Sequence, residues 1–235
     1  MISIENLHKS FSKNQVLRGI DLQIENGGVF AVLGPNGSGK TTLIKCLLGM
    51  VIPDHGTIYI DDRSIKNAWR YRQEIDYLPQ IANFPNNLKV KELIRMIVDL
   101  RERKGELQPL VEAFNLQPFL DKKLVNLSGG TKQKVNLVLA LMFDSPLIIL
   151  DEPTAGLDPI ALLHLKKLIQ REKQKGKTIL ITSHIMSFVE EVADEIVFLL
   201  DGVIYFKGTI AALREKTDER DFEHAIASIL KETYV

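Results

Sequence analysis

The stretch GVFAVLGPNGSGKTTLIKCLLG at residues 28–49 decides the fold. An apolar run, GVFAVL, is typical of a buried strand, and the run TTLIKCLLG has helical character. Between them, GPNGSGKTT at 34–42 fits the pattern G-x-x-x-x-G-K-[ST]. A strand, a glycine-rich turn and a helix in this order place backbone N–H groups where they can bind phosphate. The alternative is a turn that only joins the strand to the helix.

Almost every residue of the loop at 34–42 has a predicted role in nucleotide binding. The predicted nucleotide-binding residues are Gly34, Pro35, Asn36, Gly37, Ser38, Gly39, Lys40, Thr41 and Thr42. The three glycines let the backbone curl so that successive N–H groups point at the β- and γ-phosphates. Lys40 places a point charge against the phosphate oxygens, Thr41 is set to bind Mg²⁺, and Thr42 can reach the α-phosphate.

A pair of carboxylates follows the next clearly buried strand, in LIILDEPT at 147–154. Mg²⁺ prefers oxygen ligands, of which proteins usually supply few. Asp151 at the carboxyl end of the strand is predicted to reach the metal, directly or through water. Glu152 is predicted to orient an attacking water near the γ-phosphate, a role typically worth about 10²–10⁴-fold. The alternative is two solvated carboxylates that end a strand.

A second phosphate-binding shape lies at 127–135, where the sequence reads LSGGTKQKV. Ser128, Gly129 and Gly130 stand immediately ahead of an apolar, helix-like run. The glycines free backbone N–H groups, and the positive end of a helix dipole lies behind them. A chain that already has one phosphate-binding loop therefore carries a second.

Charge and composition exclude some classes of function. Thirty basic and thirty acidic residues cancel, so there is no global basic field and no nucleic-acid partner is expected. The single cysteine, Cys46, suits a reducing compartment. No secretory leader is visible, and the longest apolar runs fall far short of the roughly 20 residues that span a bilayer. A cytoplasmic chain is expected, and any membrane span must belong to another subunit.

Apolar runs and helical segments alternate along the chain, which predicts an α/β core. The predicted strands are ISIENL, GVFAVL, TIYI, IDYL, LIIL, TILIT, EIVFLL and VIYF. We expect the core at 1–82 and 144–208, a helical subdomain at 83–143 and a helical tail at 209–235. Helix IALLHLKKLIQREKQKG should stop at Gly176, and the charge run RERK at 101–104 is expected to be a solvated helix end.

The order of these motifs resembles the nucleotide-binding subunits of ATP-binding-cassette (ABC) transporters, over nearly the entire chain. LPQ at 78–80 resembles the family's Q-loop, in which Gln80 would sense Mg²⁺ and the attacking water. LSGG resembles the family signature, AGLD at 155–158 its D-loop, and TSH at 182–184 its switch loop. The resemblance implies that Asp158 lies at a subunit interface and that His184 contacts the γ-phosphate.

The resemblance also implies a fold and partners. The fold would be a P-loop NTPase (RecA-like) α/β core with an N-terminal antiparallel β subdomain and an inserted helical subdomain. Two copies would pack head to tail, so that each ATP, with its Mg²⁺, lies between the loop at 34–42 of one copy and the signature of the other. Phe11 would stack on adenine beside Val16, or else only pack. A flat stacking surface reads the base weakly, so ATP is expected and GTP stays open. A heterodimer is the alternative to the homodimer.

Finer features resemble the ABC-2 export-type subgroup. They are NFPNNLKVKELI at 83–94 and DFEHAIASIL at 221–230. The chain would then lie on the cytoplasmic face of the inner or plasma membrane, bound to an integral membrane permease. YLPQIANFPNN with LSGGTKQKV resembles ATPase subunits that serve copper-site maturation. The alternative function is a soluble ABC-type ATPase that drives cofactor assembly, such as iron–sulfur cluster biogenesis.

Overall fold

The computed structural model describes residues 1–234, which form two compact units. One unit consists of Met1–Tyr71 and the described part of Leu180–Val235, and the other of Arg72–Ile179. The last residue of the predicted tail, Val235, lies outside the described residues. No helix in the described part of the chain is both long and apolar enough to cross a bilayer.

Strands and helices alternate along the chain, with short 3₁₀ turns between some of them. The strands are β1 (Ile2–Phe11), β2 (Asn14–Ile24), β3 (Gly28–Leu33), β4 (His55–Ile60), β5 (Arg63–Ser64), β6 (Ile75–Leu78), β7 (Leu147–Asp151), β8 (Thr178–Thr182), β9 (Glu195–Leu200) and β10 (Val203–Gly208). The α-helices are α1 (Lys40–Leu47), α2 (Val90–Arg101), α3 (Leu107–Ala113), α4 (Gly129–Leu141), α5 (Pro159–Gln174), α6 (Met186–Val192), α7 (Ile210–Thr217) and α8 (Phe222–Tyr234).

The first unit begins with an antiparallel sheet in the order β2-β1-β4-β5. Strand β1 pairs with β2 from Ile2 opposite Ile24, and with β4 from Ile2 opposite Ile60. Along β2 the buried residues Leu17, Ile20 and Leu22 are separated by partly or fully exposed positions, as in a sheet with one covered face. The predicted N-terminal antiparallel β subdomain is therefore present, with β2 added to its predicted strands.

The α/β part of the first unit is built around β3, which pairs in parallel with β9. Five of the six residues of each strand are buried, which is the pattern of strands covered on both faces. Helix α1 follows β3 through the loop at 34–42, and β10 pairs with β9 in the antiparallel sense. The polar loop is thus attached to the carboxyl end of a buried strand.

The second unit contains β6 and β7, which pair in parallel, and helices α2 to α5. Residues 83–143 are largely helical, as the sequence predicts, whereas the boundaries of that subdomain remain a prediction. Helix α5 ends with Lys175 as its C-cap, and Gly176 follows with a φ of 81°. A glycine accepts this left-handed conformation without a Cβ penalty, so the predicted helix stop is confirmed.

A buried ion pair holds β6 against α2 within the second unit. The side chain of Asp76 is fully buried, and its Oδ1 accepts a hydrogen bond from Arg101 Nη2 at 2.7 Å and from Ser145 Oγ at 2.9 Å. Arg101 also donates to the carbonyl of Ile75 and lies over the ring of Phe143. The prediction that RERK begins a solvated helix end is therefore wrong for Arg101, because its guanidinium neutralises a buried carboxylate.

Burial raises the pKa of Asp76 to about 6, against the opposing effects of the Ser145 hydrogen bonds and the Arg101 charge. A raised pKa means that the folded state holds the proton more tightly than the unfolded state. The stability contributed by this difference is present below the unfolded pKa of about 3.9 and is lost as pH rises through about 6.

Replacing Arg101 with Met is expected to lower the free energy of unfolding by about 3 kcal/mol at pH 8, because it leaves a buried charge uncompensated. At pH 5 the loss should be clearly smaller, since Asp76 can take up a proton. Urea unfolding at the two pH values measures both quantities. Arg95→Met is the matched control, because Arg95 lies on the same helix with its side chain 85% exposed. Its loss should stay below about 0.5 kcal/mol. Equal losses for Arg101→Met at both pH values would contradict the assignment.

Candidate functional site

The predicted site residues are distributed over both units. The first unit contains Phe11, Val16, the loop from Gly34 to Thr42, and His184. The second unit contains Gln80, Ser128, Gly129, Gly130, Asp151, Glu152 and Asp158. Most of them follow the carboxyl end of a strand or begin a helix, where backbone polar groups have no partner within the element.

The loop at 34–42 needs glycine at two positions for steric reasons. At Gly34, where φ is 148°, a Cβ atom would lie 2.0 Å from the Leu199 carbonyl oxygen and 2.7 Å from Ser38 Oγ. At Gly39, with a φ of 106°, a Cβ atom would meet Leu17 Cδ2 at 2.9 Å and the Val16 carbonyl oxygen at 3.0 Å. The loop is therefore packed backbone to backbone on its neighbours, which leaves no space for side chains there.

Two side chains of this loop carry polar groups suited to an anion. Lys40 Nζ donates hydrogen bonds to the Gly34 carbonyl at 2.7 Å and to the Pro35 carbonyl at 3.0 Å, so the ammonium lies over the loop itself. Ser38 Oγ is buried and has no hydrogen-bond partner among the described residues. A buried polar atom without a partner is rare and marks a place where a ligand atom can satisfy it.

The remaining site residues of the first unit are exposed or half-buried. Phe11 ends β1 with 49% of its surface exposed, and Lys9 Nζ lies 5.4 Å from the centre of its ring. Val16 is half-buried, and its carbonyl lies against the position of Gly39. His184 follows β8 by two residues and is exposed just before α6. The packing alternative for Phe11 is not favoured by this exposure, because a packed ring would be covered.

The carboxylates of the second unit stand at the end of β7. Asp151 is the last residue of that fully buried strand, and Glu152 follows it with 8% of its surface exposed. Glu152 has a φ of 53°, a left-handed conformation that costs a non-glycine residue free energy. Strain of this kind clusters at functional sites. Gln80 is exposed two residues beyond β6, the strand that pairs with β7.

The signature begins α4. Ser128 is its N-cap, and the Ser128 Oγ accepts a hydrogen bond from the Thr131 amide at 3.3 Å. Ser128 and Gly129 are exposed, and nothing lies within 4 Å of a Cβ built on Gly129. Helix α4 is 13 residues long, and the positive end of its dipole lies beside the exposed Ser128 and Gly129, at a position suited to an anion.

One face of α4 lies against the turn that follows Glu152. A Cβ on Gly130 would be 2.6 Å from the Gly156 carbonyl oxygen, and Gln133 Nε2 donates to the Pro153 carbonyl at 3.3 Å. Lys134 Nζ and Asp158 Oδ2 are 2.5 Å apart. The hydrogen bond from Lys134, with a second from the Ala161 amide, lowers the pKa of Asp158. Sequence reasoning missed both side-chain contacts, because a motif gives the positions of Gln133 and Lys134 but not their partners.

Comparisons with known proteins agree on one family. Residues 17–155 match the family described as ABC transporter. The L-cystine import ATP-binding protein TcyC of Bacillus subtilis is 34% identical, over 88% of this chain and 90% of its own. The Nod factor export ATP-binding protein I of Burkholderia lata is also 34% identical, over 91% of this chain and 72% of its own. A solved ATP binding subunit of an ABC transporter superposes with a TM-score of 0.91 at 28% identity, covering 98% of this chain and 99% of its own.

These comparisons confirm the predicted fold class and favour transport over the cofactor-assembly alternative, because both relatives are named as transport subunits. One relative is an import subunit and the other an export subunit. The comparisons therefore do not choose between the two directions of transport.

The two loop glycines allow a matched test of the loop geometry. Gly34→Ala should lower the free energy of unfolding by about 3 kcal/mol or more, because its Cβ would collide with the Leu199 backbone. Gly37→Ala should cost only about 1 kcal/mol, since its φ is 84° but nothing lies within 4 Å. Thermal or urea unfolding of both variants measures the difference. Similar losses would show that the close approach at Gly34 is not what constrains the loop.

Proposed function

The chain belongs to the ABC transporter family, and we propose that it works as a head-to-tail homodimer whose ATP hydrolysis drives export through a separate membrane subunit. It is an ATP-binding subunit and an ATPase that powers transport. The dimer, the roles of individual residues, the bound metal and the direction of transport are proposed. One observation is the main support for this proposal. The signature presents an open phosphate-binding helix start, with Ser128 and Gly129 exposed, although the chain has its own phosphate-binding loop.

The loop at 34–42 is the part of the site that each copy supplies to its own ATP. Its N–H groups and the start of α1 would receive the phosphates, and Ser38 Oγ could satisfy its hydrogen-bonding capacity there. Lys40 would exchange the carbonyls of Gly34 and Pro35 for phosphate oxygens. That exchange replaces two neutral acceptors by charged ones, which form stronger hydrogen bonds with an ammonium. Thr42 would contact the α-phosphate.

The donor set for a metal consists of the Thr41 hydroxyl, the Asp151 carboxylate and the Gln80 side-chain carbonyl. All three are hard oxygen donors, which fits Mg²⁺ and not a soft metal. Asp151 is buried at the carboxyl end of β7, and a carboxylate at this end of a strand is a ligand that Mg²⁺ accepts. Mg²⁺, when bound, would neutralise charge on the β- and γ-phosphates.

The second half of each site would come from the partner copy. Ser128 and the N–H groups of Gly129 and Gly130 would complete the shell around the γ-phosphate, and Asp158 would lie at the interface. A two-fold arrangement makes both sites at once, because the same surface serves both partners. ATP bound between the copies stabilises the closed dimer, and its hydrolysis removes the group that both copies contact.

Glu152 would orient and polarise the attacking water, with His184 and Gln80 beside the γ-phosphate. The left-handed backbone of Glu152 turns the chain away from the path of β7. The neighbouring carboxylates of Asp151 and Glu152 can therefore take different roles. For the base, half-exposed Phe11 offers an aromatic face beside Val16, and stacking of this kind is worth about 1–3 kcal/mol in nucleic-acid sites. Stacking reads the base weakly, so selectivity for ATP over GTP is expected to be modest.

Export is proposed from the segments at 83–94 and 221–230, which resemble the ABC-2 export-type subgroup. An exporting relative aligned over 91% of this chain is consistent with it. The chain would lie at the cytoplasmic face of the membrane, bound to an integral permease that selects the cargo. Closing and reopening of the dimer would then move the attached membrane subunit.

Glu152→Gln should still bind ATP but hydrolyse it at least about 10²-fold more slowly, so that the closed dimer accumulates. Gel filtration or sedimentation of the purified chain with Mg-ATP measures the dimer. A variant that binds ATP and remains monomeric at every protein concentration would reject the head-to-tail proposal.

Two further variants control this experiment. Ser128→Arg in the Glu152→Gln background should abolish the dimer while leaving the nucleotide affinity of the monomer within about twofold, because only the partner's site is blocked. Lys40→Ala should instead remove nucleotide binding itself. A loss of monomer affinity in Ser128→Arg would place the signature and the loop at 34–42 in the same site.

The transport proposal makes a separate prediction in cells. In the proposed complex, the integral permease holds the chain at the membrane. The chain should sediment with membranes and be released by an alkaline wash, and a membrane protein should co-purify with it from detergent extracts. Full recovery in the soluble fraction, together with a soluble partner, would support the cofactor-assembly alternative.

A further inference from the structure

The contact between α4 and the turn after Glu152 has a property that the family motifs do not describe. Gly130, Gln133 and Lys134 share one face of α4, since residues three and four apart are neighbours on a helix. Each of them contacts the segment 153–158. The first contact is between backbones, the second is a buried hydrogen bond and the third is an ion pair. Three contacts along one helix face fix both the position and the rotation of α4.

Asp158 contacts both the start of α5 and Lys134. Its Oδ1 accepts a hydrogen bond from the Ala161 amide at 2.9 Å and so caps α5, while its Oδ2 accepts from Lys134 at 2.5 Å. The lysine is mostly covered, with 20% of its side chain exposed. The carboxylate thus joins the start of α5 to the second turn of α4, and loss of the lysine would leave α4 without its only ionic contact to this segment in the described structure.

The segment between Glu152 and Asp158 is itself constrained. The Ala155 amide donates to the Glu152 carbonyl at 3.3 Å, and the Leu157 amide donates to the Thr154 carbonyl at 3.2 Å. These turns connect the residue that would orient water to the carboxylate that contacts Lys134.

We propose that Lys134 is a positioning residue that holds the signature in the orientation that receives the partner's ATP, through its ion pair with Asp158. The proposal rests on the head-to-tail function. In that dimer, the signature of one copy serves the partner's ATP, whereas Glu152 of the same copy serves its own. Lys134 therefore joins the start of α4, which would serve the partner's ATP, to the segment that follows Glu152, which would serve the chain's own ATP.

A lysine is enough for this contact. Asp158 Oδ1 accepts the hydrogen bond of the helix cap, and the ammonium of Lys134 supplies the single donor that reaches Oδ2. A cleft of about 340 Å³ opens beside the pair, lined by Phe114, Lys134, Asp158 and Ile160 among others. An arginine can extend into this space and still donate one hydrogen bond, which makes Lys134→Arg a conservative replacement.

The test measures ATP-dependent dimerisation in the Glu152→Gln background, with the complete chain. Lys134→Met should raise the ATP concentration that gives half-maximal dimer by about fivefold, the range expected for a partly exposed ion pair. Lys134→Arg should stay within about twofold of the parent. Lys132→Met is the matched control, since it removes the same charge from the same helix but no ion pair to the segment 153–158 among the described contacts. An identical shift for Lys132→Met and Lys134→Met would overturn the proposal.

Two measurements separate positioning from loss of folding. The affinity of a fluorescent ATP analogue for the monomer should be the same for Lys134→Met and Lys132→Met, and both variants should still unfold in one cooperative transition. Asp158→Asn keeps the helix cap and removes the charge, so it should shift dimerisation in the same direction. Combined with Lys134→Met, it should add little, because both remove one interaction. Additive effects would overturn the ion pair as the cause. If the Glu152→Gln parent itself never dimerises, the head-to-tail function fails, and Lys134 is not the reason.

Discussion

The backbone of Gly34 approaches that of Leu199 so closely that no side chain can stand between them, and the phosphate-binding loop depends on this approach. Strands β3 and β9 run in parallel up to Leu33 opposite Phe198, so the loop leaves the sheet next to Leu199. At its other end, Gly39 lies against the carbonyl of Val16 on β2. The antiparallel sheet and the β9–β10 hairpin thus contact the same nine-residue loop from within one unit, and the loop's curvature is set by both.

A close approach between two backbones also occurs in the second unit, at the start of α4. Gly130 at the start of α4 approaches the carbonyl of Gly156, and the absence of side chains permits backbone contact. The start of α1 is therefore fixed by a strand end and the start of α4 by a turn that follows a strand end. In both cases glycine is needed for the close approach to a neighbouring carbonyl, in addition to the flexibility of the loop.

The sequence predicts those parts of the fold and of the candidate site that depend on contiguous residues. Buried strands such as β3 and β7 are almost entirely apolar, and the loop at 34–42 is a contiguous motif, so both are visible without a structure. Strand β2 is missed because exposed polar residues interrupt its apolar positions, which resembles a loop over short windows. The Asp76 pair is missed for a different reason. Its partners are 25 and 69 residues away, and only the fold brings them together.

Position 134 illustrates why residue type alone leaves the chemistry open. From the sequence, Lys134 is a charge near the start of a predicted helix, which raises the question of what its side chain contacts. The structure answers it through Asp158, whose Oδ1 is already committed to the cap of α5. Its Oδ2 accepts from the ammonium of Lys134. One carboxylate therefore caps α5 and forms an ion pair with α4 at the same time. Both contacts depend on the turn that brings residue 158 beside the second turn of α4, which is why the residue types alone do not give them.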